Sequence, residues 1–163
     1  MTNVQTTLPQ VRERHIAMMR LTCETLGHVL KDVTGDQARA FRDGADGWSI
    51  IEILCHLRDF DDIFYQRALM MRDQDHPQLP GYDHEAMAIE RTYQQEDLQD
   101  SYRALRSSRG RLIQFFAALA PQQWERGGIH PERDSFTMTD AAMQVGLHDL
   151  DHLEQITRVL TQR

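Results

Sequence analysis

The chain has 163 residues, which fits one domain over residues 1–163 with a sizeable core and leaves too little for two. Its 18 Lys and Arg residues against 25 Asp and Glu residues give a net charge of -7. Neither basic residue type is clustered as phosphate binding requires, so we expect no nucleic-acid partner. Met1–Gln5 holds no apolar leader, and no later run reaches the roughly 20 apolar residues of a membrane span, so we expect a cytoplasmic protein without membrane contact.

The first predicted helix runs from about Pro9 to Lys31, where apolar residues recur every three or four positions. Pro9 suits an early helical position because a missing N–H costs little there. The stretch from Asp32 to Asp46 has little apolar pattern. We therefore expect a connection with at most a short helical piece at Gln37–Ala40.

The second predicted helix begins at a well-specified start and continues to about Arg72. Ser49 and Glu52 have the spacing of a capping box, and Trp48 just before them can pack on the first turn. His56 falls on the apolar stripe of this helix, which should face the core. A buried imidazole needs a partner, because an unmet hydrogen bond costs roughly 1–3 kcal/mol.

The segment from Asp73 to Glu90 is polar and broken by two prolines and a glycine. Connections in helical bundles are usually about 2–8 residues, so this longer one indicates a crossover to a helix that runs parallel to its predecessor, or a lid over a site. The third predicted helix spans about Gln94 to Leu119. Its middle is basic, and these arginines either hold an anionic substrate or pair with acids and face water: Arg103, Arg106, Arg109 and Arg111.

The fourth predicted helix begins near Thr137, which can cap it, and continues to about Leu160. The glycines and proline between residues 127 and 131 keep the preceding connection extended or turning. We find no alternating pattern that predicts a strand. Four long helices with one long crossover therefore predict an all-α, four-helix bundle.

The sulfur-containing residues lie in apolar helical patterns. Cys23 and Cys55 are expected as buried thiols rather than as a disulfide or metal ligands. The methionines are expected to fill the core or a dimer interface.

His148 and His152 are the pair around which the predicted site is built. Residues four apart lie one above the other on one face of a helix, so their imidazoles converge. If the second and fourth helices are neighbours, His56 completes a set of three. Imidazole suits zinc or nickel, and three histidines leave a position for water or substrate. The alternative interpretation is three satisfied core histidines.

Three acidic residues are candidates for hydrogen bonds to the outer nitrogens of these imidazoles. Asp59 ranks first because it follows His56 by about one turn, and Asp149 and Glu52 come after it. A solvated charge is at least as good an explanation for Asp59 and a better one for Asp149, and capping is the alternative for Glu52. Among the other histidines, His130 either approaches the mouth of the site or has no role, and the rest are expected at the surface: His15, His28, His76 and His84.

The ordered set of these motifs resembles the DinB/YfiT-like superfamily over nearly the whole chain. The matching motifs are Trp48-Ser49 with Glu52, His56-Leu57, the long crossover, and His148-x-x-x-His152 with Gln155-Ile156. The resemblance implies a left-handed up-down-down-up bundle, a homodimer, and a divalent metal, nickel or zinc, on His56, His148 and His152. It also implies chemistry on a low-molecular-weight thiol such as bacillithiol or mycothiol, as in some members; others are named as metal-dependent hydrolases or DNA-damage-inducible proteins.

Three functional hypotheses follow from the resemblance and the histidines. The first is a metal-dependent enzyme, a thiol-dependent S-transferase or a hydrolase, in which the metal acts as a Lewis acid on a thiol or water. It has no assigned catalytic side chain beyond Asp59 as an outer contact. The second is a non-catalytic metal-binding module, with a closed or fully ligated site. The third is a stress-response dimer that needs no metal.

Overall fold

The computed structural model describes residues 7–162; the start of the chain, on which the expectation about a leader segment rests, and its last residue lie outside the described residues. In chain order the elements are α1 (Leu8–Leu30), α2 (Gly35–Ala40), α3 (Ile50–Asp73), α4 (His84–Glu90), a 3₁₀ turn (Tyr93–Gln95), α5 (Leu98–Ala117), α6 (Pro121–Trp124), β1 (Gly127–His130), β2 (Asp134–Thr137) and α7 (Met138–Thr161). The long helices α1, α3, α5 and α7 form the predicted four-helix bundle.

The starts of the long helices are fixed by side chains that bond the free N–H groups of the first turn. The Glu52 N–H donates to Ser49 Oγ at 3.4 Å, and the Ser49 N–H donates to Glu52 Oε2 at 2.8 Å, which is the predicted capping box. Asp97 Oδ1 accepts from the N–H groups of the next turn, so α5 begins later than the predicted Gln94.

Helices α3 and α5 run in the same direction. Their N-terminal ends meet where Ser49 Oγ lies 2.7 Å from Gln94 Oε1, just before α5. Because α3 ends at Asp73, the segment between them returns along the length of the bundle before α5 begins. This is the predicted crossover.

Helices α1 and α7 run opposite to that pair. Arg12 Nε, near the start of α1, donates to Thr139 Oγ1, near the start of α7, at 3.0 Å. Near the start of α3, the His56 ring meets the His152 ring from the second half of α7. The four long helices therefore follow an up-down-down-up course, with α7 packed on both α1 and α3.

A single guanidinium joins all four long helices. Arg109 on α5 donates to both oxygens of Asp61 on α3, at 2.9 and 2.8 Å, and to both oxygens of Asp149 on α7, at 2.6 and 2.9 Å. It also donates to the Met19 carbonyl of α1 at 2.8 Å. Although burial opposes the charge, Asp61 and Asp149 raise the pKa of Arg109, so the guanidinium stays protonated.

The other arginines of α5 face acids or solvent. Arg103 pairs with Asp100 and Arg111 pairs with Asp62, while Arg106 is exposed. The alternative in which these arginines pair with acids or face water is therefore the one that the structure supports.

The hairpin β1–β2 corrects the expectation that the chain holds no strand. Its first strand is held by the crossover: the Ile129 N–H donates to the Pro77 carbonyl at 2.9 Å, and the Leu79 N–H donates to the Ile129 carbonyl at 2.8 Å. A Cβ on Gly128 would lie 2.8 Å from the Pro77 oxygen, so only glycine permits this approach. The strand depends on this long-range pairing, which a local alternation pattern cannot reveal.

Two clusters of buried apolar side chains fill most of the rest of the interior. Cys23 and Cys55 are buried free thiols, as predicted, and burial raises the pKa of each to about 11. None of the helices within residues 7–162 is long and apolar enough to span a membrane.

Candidate metal centre

Three histidines from two neighbouring helices meet at the floor of a cavity. His56 comes from α3, and His148 and His152 come from successive turns of α7. One ring nitrogen from each lies within 4.8 Å of the other two, and His56 Nε2 is 2.9 Å from His148 Nε2. The structure therefore brings together the three residues that the sequence predicted as ligands.

The charge state of these imidazoles suits a metal. Burial, followed by the neighbouring histidines, lowers the pKa of His56 to about 2. Burial lowers the pKa of His148 to about 3, and it also lowers the pKa of His152. The rings are therefore neutral at physiological pH, and a neutral imidazole is the form that donates a lone pair to a metal. Three converging neutral imidazoles fit a divalent borderline ion such as nickel or zinc.

Phenylalanine and tryptophan side chains pack against two of the three rings, those of His56 and His148. Phe60 stacks on His148 with a centroid distance of 5.3 Å and an interplanar angle of 25°, and Phe64 approaches the same ring edge-on at 5.3 Å. Trp48 packs against His56 at 4.9 Å. These contacts restrict the rotamers of the histidines, so the convergence does not depend on a bound ion to order it.

Gln155 orients the third imidazole. Its Oε1 lies 2.8 Å from His152 Nδ1, and its Nε2 donates to Asp43 Oδ2 at 2.9 Å. Because Oε1 can only accept, His152 carries its proton on Nδ1 and leaves Nε2 free for a metal. Gln155 belongs to the motif that carries the family resemblance, but no role was predicted for it; its position three residues after His152 is the signal that could have assigned one.

The predicted outer contacts of the acidic residues are corrected. Asp59 accepts from Arg58 Nε at 2.7 Å, from Arg91 Nη1 at 2.6 Å and from the Tyr93 hydroxyl at 2.6 Å, so both of its oxygens are used away from the imidazoles. Asp149 is bound to Arg109 in the bundle core. Glu52 serves the cap of α3.

The cavity above the histidines has a volume of about 510 Å³. Its lining includes His84 and His130. His84 is exposed, as expected, but it faces the cluster, with its ring centroid 5.8 Å from that of His56. His130 is buried in the wall of the cavity, consistent with the prediction that it approaches the site. Of the remaining histidines, His28 and His76 are exposed, as predicted, and His15 is half-buried.

The fold and site together define a class: four-helix bundles that present a cluster of histidines from two adjacent helices at the floor of an open cavity. Residues 18–156 match the family model of the DinB superfamily. Because this match covers most of the chain, the protein belongs to the DinB superfamily, as the sequence motifs predicted.

Two curated relatives share this family. The chain is 27% identical over 120 residues to a Bacillus subtilis (strain 168) protein named "Putative metal-dependent hydrolase YfiT", an alignment covering 73% of this chain and 66% of that protein. It is 20% identical over 137 residues to "Putative metal-dependent hydrolase OB0413" of Oceanobacillus iheyensis, covering 83% of this chain and 78% of that protein. The aligned part thus spans just under two thirds of the length of YfiT.

Solved structures show the same fold. YfiT from Bacillus subtilis, described as having an unusual four-helix bundle topology, superimposes with a TM-score of 0.85 at 22% identity, covering 99% of this chain and 92% of that one. A mycothiol-dependent maleylpyruvate isomerase superimposes with a TM-score of 0.72 at 13% identity, covering 91% of this chain and 67% of that one. At these identities the likeness concerns the fold alone.

Proposed function

We propose that this protein is a metal-dependent enzyme in which His56, His148 and His152 hold one divalent ion, nickel or zinc, facing a small-molecule cavity. The observation that carries the proposal is the convergence of three neutral imidazole nitrogens within 4.8 Å of one another. Three protein ligands are the number used by catalytic zinc sites, which keep a further position for water or substrate. Such an ion supplies Lewis acidity, which activates a bound thiol or water.

The residues around the histidine cluster shield it from water or orient its rings. Phe60 and Phe64 cover the His148 ring and keep water from that side of the site. Gln155 holds His152 in the tautomer with a free Nε2. Among residues 7–162 no carboxylate is bonded to the cluster as a general base, and Asp59 and Asp149 are committed to arginines. We therefore place the chemistry on the activation of the substrate or cosubstrate rather than on a protein nucleophile.

Two reaction types remain within this proposal, a thiol-dependent S-transferase and a hydrolase. The names of the curated relatives favour hydrolysis, and the mycothiol-dependent isomerase favours a low-molecular-weight thiol as cosubstrate. A non-catalytic metal-binding module is the alternative, but it predicts a small or closed site. The open cavity of about 510 Å³ supports the enzyme instead.

The predicted homodimer is part of the proposal. Exposed apolar side chains lie on α1 and α7, which pack side by side: Leu21, Leu147 and Leu150. A shared apolar face of this kind is where we expect a second copy to bind. Light scattering of the purified protein measures the oligomeric state, and a monomer would contradict this part.

The metal is tested by elemental analysis of the purified protein. We expect about one nickel or zinc ion per chain in the wild type and less than about a tenth of that in His152→Ala, because two imidazoles bind far more weakly than three. The matched control His28→Ala removes an exposed histidine of α1 and should retain the metal. A wild type that is metal-free and takes up neither added ion would contradict the proposal.

The reaction type is tested on the metal-loaded protein. Turnover of electrophilic substrates that requires bacillithiol or mycothiol identifies a transferase, and turnover of esters or amides without a thiol identifies a hydrolase. Retained metal with no turnover in either screen would favour the non-catalytic alternative.

A further inference from the structure

The wall of the cavity opposite the histidine cluster is built around Arg67. Arg67 follows His56 by 11 residues on α3, a separation of about 16 Å along the helix axis. Phe60 and Phe64 lie between them on the same side of the helix, because each interval is three or four residues. All four side chains line one cavity, so Arg67 and the cluster face the same enclosed space.

Arg67 is a buried cation without a bonded carboxylate. Its side chain is largely removed from solvent, and within residues 7–162 no acidic oxygen lies within salt-bridge distance of it. Nε and Nη2 donate to the Pro80 carbonyl at 3.2 and 2.6 Å, and Nη1 lies 3.1 Å from His130 Nε2. Burial lowers the pKa of Arg67, which is the effect of a positive charge held out of water without a matching negative one.

The ring of His130 has an excess of donors around it. The Glu132 N–H points at Nδ1 at 3.2 Å, while Arg67 Nη1 points at Nε2. A neutral imidazole carries one N–H, so it cannot accept at both nitrogens. In the tautomer that satisfies the Glu132 N–H, the Nε2–H faces the guanidinium, and two donors are left facing each other. Because the two nitrogens are 3.1 Å apart and both residues line the cavity, an oxyanion in the cavity beside them would accept from both.

The surrounding groups reinforce this arrangement. Arg133 lines the same wall, and the Tyr82 ring lies against the Arg67 guanidinium with Cζ 5.5 Å from its centroid. Glu132 is exposed at the rim and acts on Arg67 only from beyond contact distance. Arg67, Arg133 and His130 thus lie together on this wall, with Glu132 as the exposed carboxylate beside them.

We propose that Arg67 and His130 bind the oxyanion, a carboxylate or a phosphate, of a small-molecule substrate whose reacting group lies at the histidine cluster. This deepens the proposed function and rests on it for the position of the reacting group. Nη1 and Nη2 of Arg67 each carry a second N–H beyond those that face His130 and Pro80, so the guanidinium can still bond either anion. About 16 Å between the two helix positions leaves room for a compact organic acid.

The test is an NMR titration of the metal-free protein in a zwitterionic buffer, read at the side-chain Nε–H resonance of Arg67. The probes are acetate, its neutral isostere acetamide, and inorganic phosphate. We expect acetate and phosphate to shift the resonance and acetamide to leave it unchanged. The tighter of the two anions identifies the substrate group as a carboxylate or a phosphate.

Three variants sharpen the titration. Followed at the backbone N–H of residue 132, which bonds His130 Nδ1 and is present in the wild type and the variants alike, Arg67→Met should weaken anion binding at least about tenfold, since it removes the charge. Glu132→Gln should strengthen it, because it removes the competing carboxylate at the rim. Arg111→Met is the matched control: it removes an exposed arginine paired with Asp62 on the bundle surface and should leave binding unchanged.

The proposal is overturned if acetamide shifts the resonance as acetate does, if neither anion moves it, or if Arg67→Met binds anions as the wild type does. Because the wild-type titration needs no substitution, it stands even if Arg67→Met does not fold. The titration also uses no metal, so its result is independent of whether His152→Ala loses an ion. If the anions bind but the purified wild type takes up no metal, the anion site stands and the proposed metal-dependent enzyme does not.

Discussion

Arg67 and Arg109 are both buried arginines, with 8% and 2% of their surfaces exposed, but their surroundings differ. Arg109 faces two carboxylates that use all four of their oxygens on it, and it joins the four long helices. Arg67 faces a proline carbonyl and an imidazole at the wall of a cavity. The charge of Arg109, which joins the helices of the bundle, is neutralised by two bonded carboxylates. The charge of Arg67, which lines the cavity, has no bonded carboxylate among residues 7–162. The difference separates structural polar groups from those available to a ligand.

The largest expected effect is on stability. Arg109→Met should lower the free energy of unfolding by about 3–5 kcal/mol, because it leaves two buried carboxylates without a counter-charge. Arg67→Met should cost no more than about 2 kcal/mol, since it takes the donors from the Pro80 carbonyl and leaves no buried carboxylate unpaired. Urea unfolding of the two metal-free variants measures both. Equal losses of unfolding free energy in the two variants would contradict the view that Arg109 is structural and that Arg67 is not.

The second prediction concerns Gln155, which bonds His152 of the cavity floor on one side and Asp43 on the other. Gln155→Leu should weaken zinc binding by about 10–100-fold, since His152 loses the contact that fixes its tautomer. Competition with a chelator of known affinity measures the change. The control Gln99→Leu alters an exposed glutamine of α5 and should bind zinc as the wild type does. Unchanged affinity in Gln155→Leu would mean that the contacts of the His152 ring with the His56 and His148 rings are enough to hold it.

The smallest expected effect concerns Asp59, which lies on the same helix as His56 but is matched internally, as Asp61 is. Tyr93→Phe removes one hydrogen bond to Asp59 and should lower the free energy of unfolding by about 1 kcal/mol. Zinc affinity should not change, because Asp59 does not contact an imidazole. A tenfold loss of zinc affinity would instead restore Asp59 as an outer contact of the cluster.

The sequence was sufficient for the features that depend on local rules. The capping box at Ser49 and the helical spacing of His148 and His152 are short-range patterns, and the structure contains both. The approach of His56 followed from a bundle in which α3 and α7 are neighbours, which they are. The helical spacing of the sequence was therefore enough to predict on which face of its helix each histidine lies.

Periodicity did not give the partners that come from distant segments. Asp59 lies about one turn from His56, as predicted, but Arg91 and Tyr93 reach it from the far end of the crossover. The hairpin strands are four residues each, and their pairing with Pro77 and Leu79 is long-range. Arg67 gave no signal at all in the sequence, because a buried arginine without an acid looks like any other helical arginine.

The pairing of the crossover with β1 has a consequence for how this family could diversify. The three histidines at the cavity floor come from α3 and α7, whereas Tyr82 and His130 come from the two segments joined outside the bundle. Exchanging those two segments as a unit would change the part of the cavity wall that they form, and so which molecules fit, and would leave the histidine cluster in place. Evolution or protein design could then alter the wall of the cavity that contacts the bound molecule while the histidine cluster stays the same.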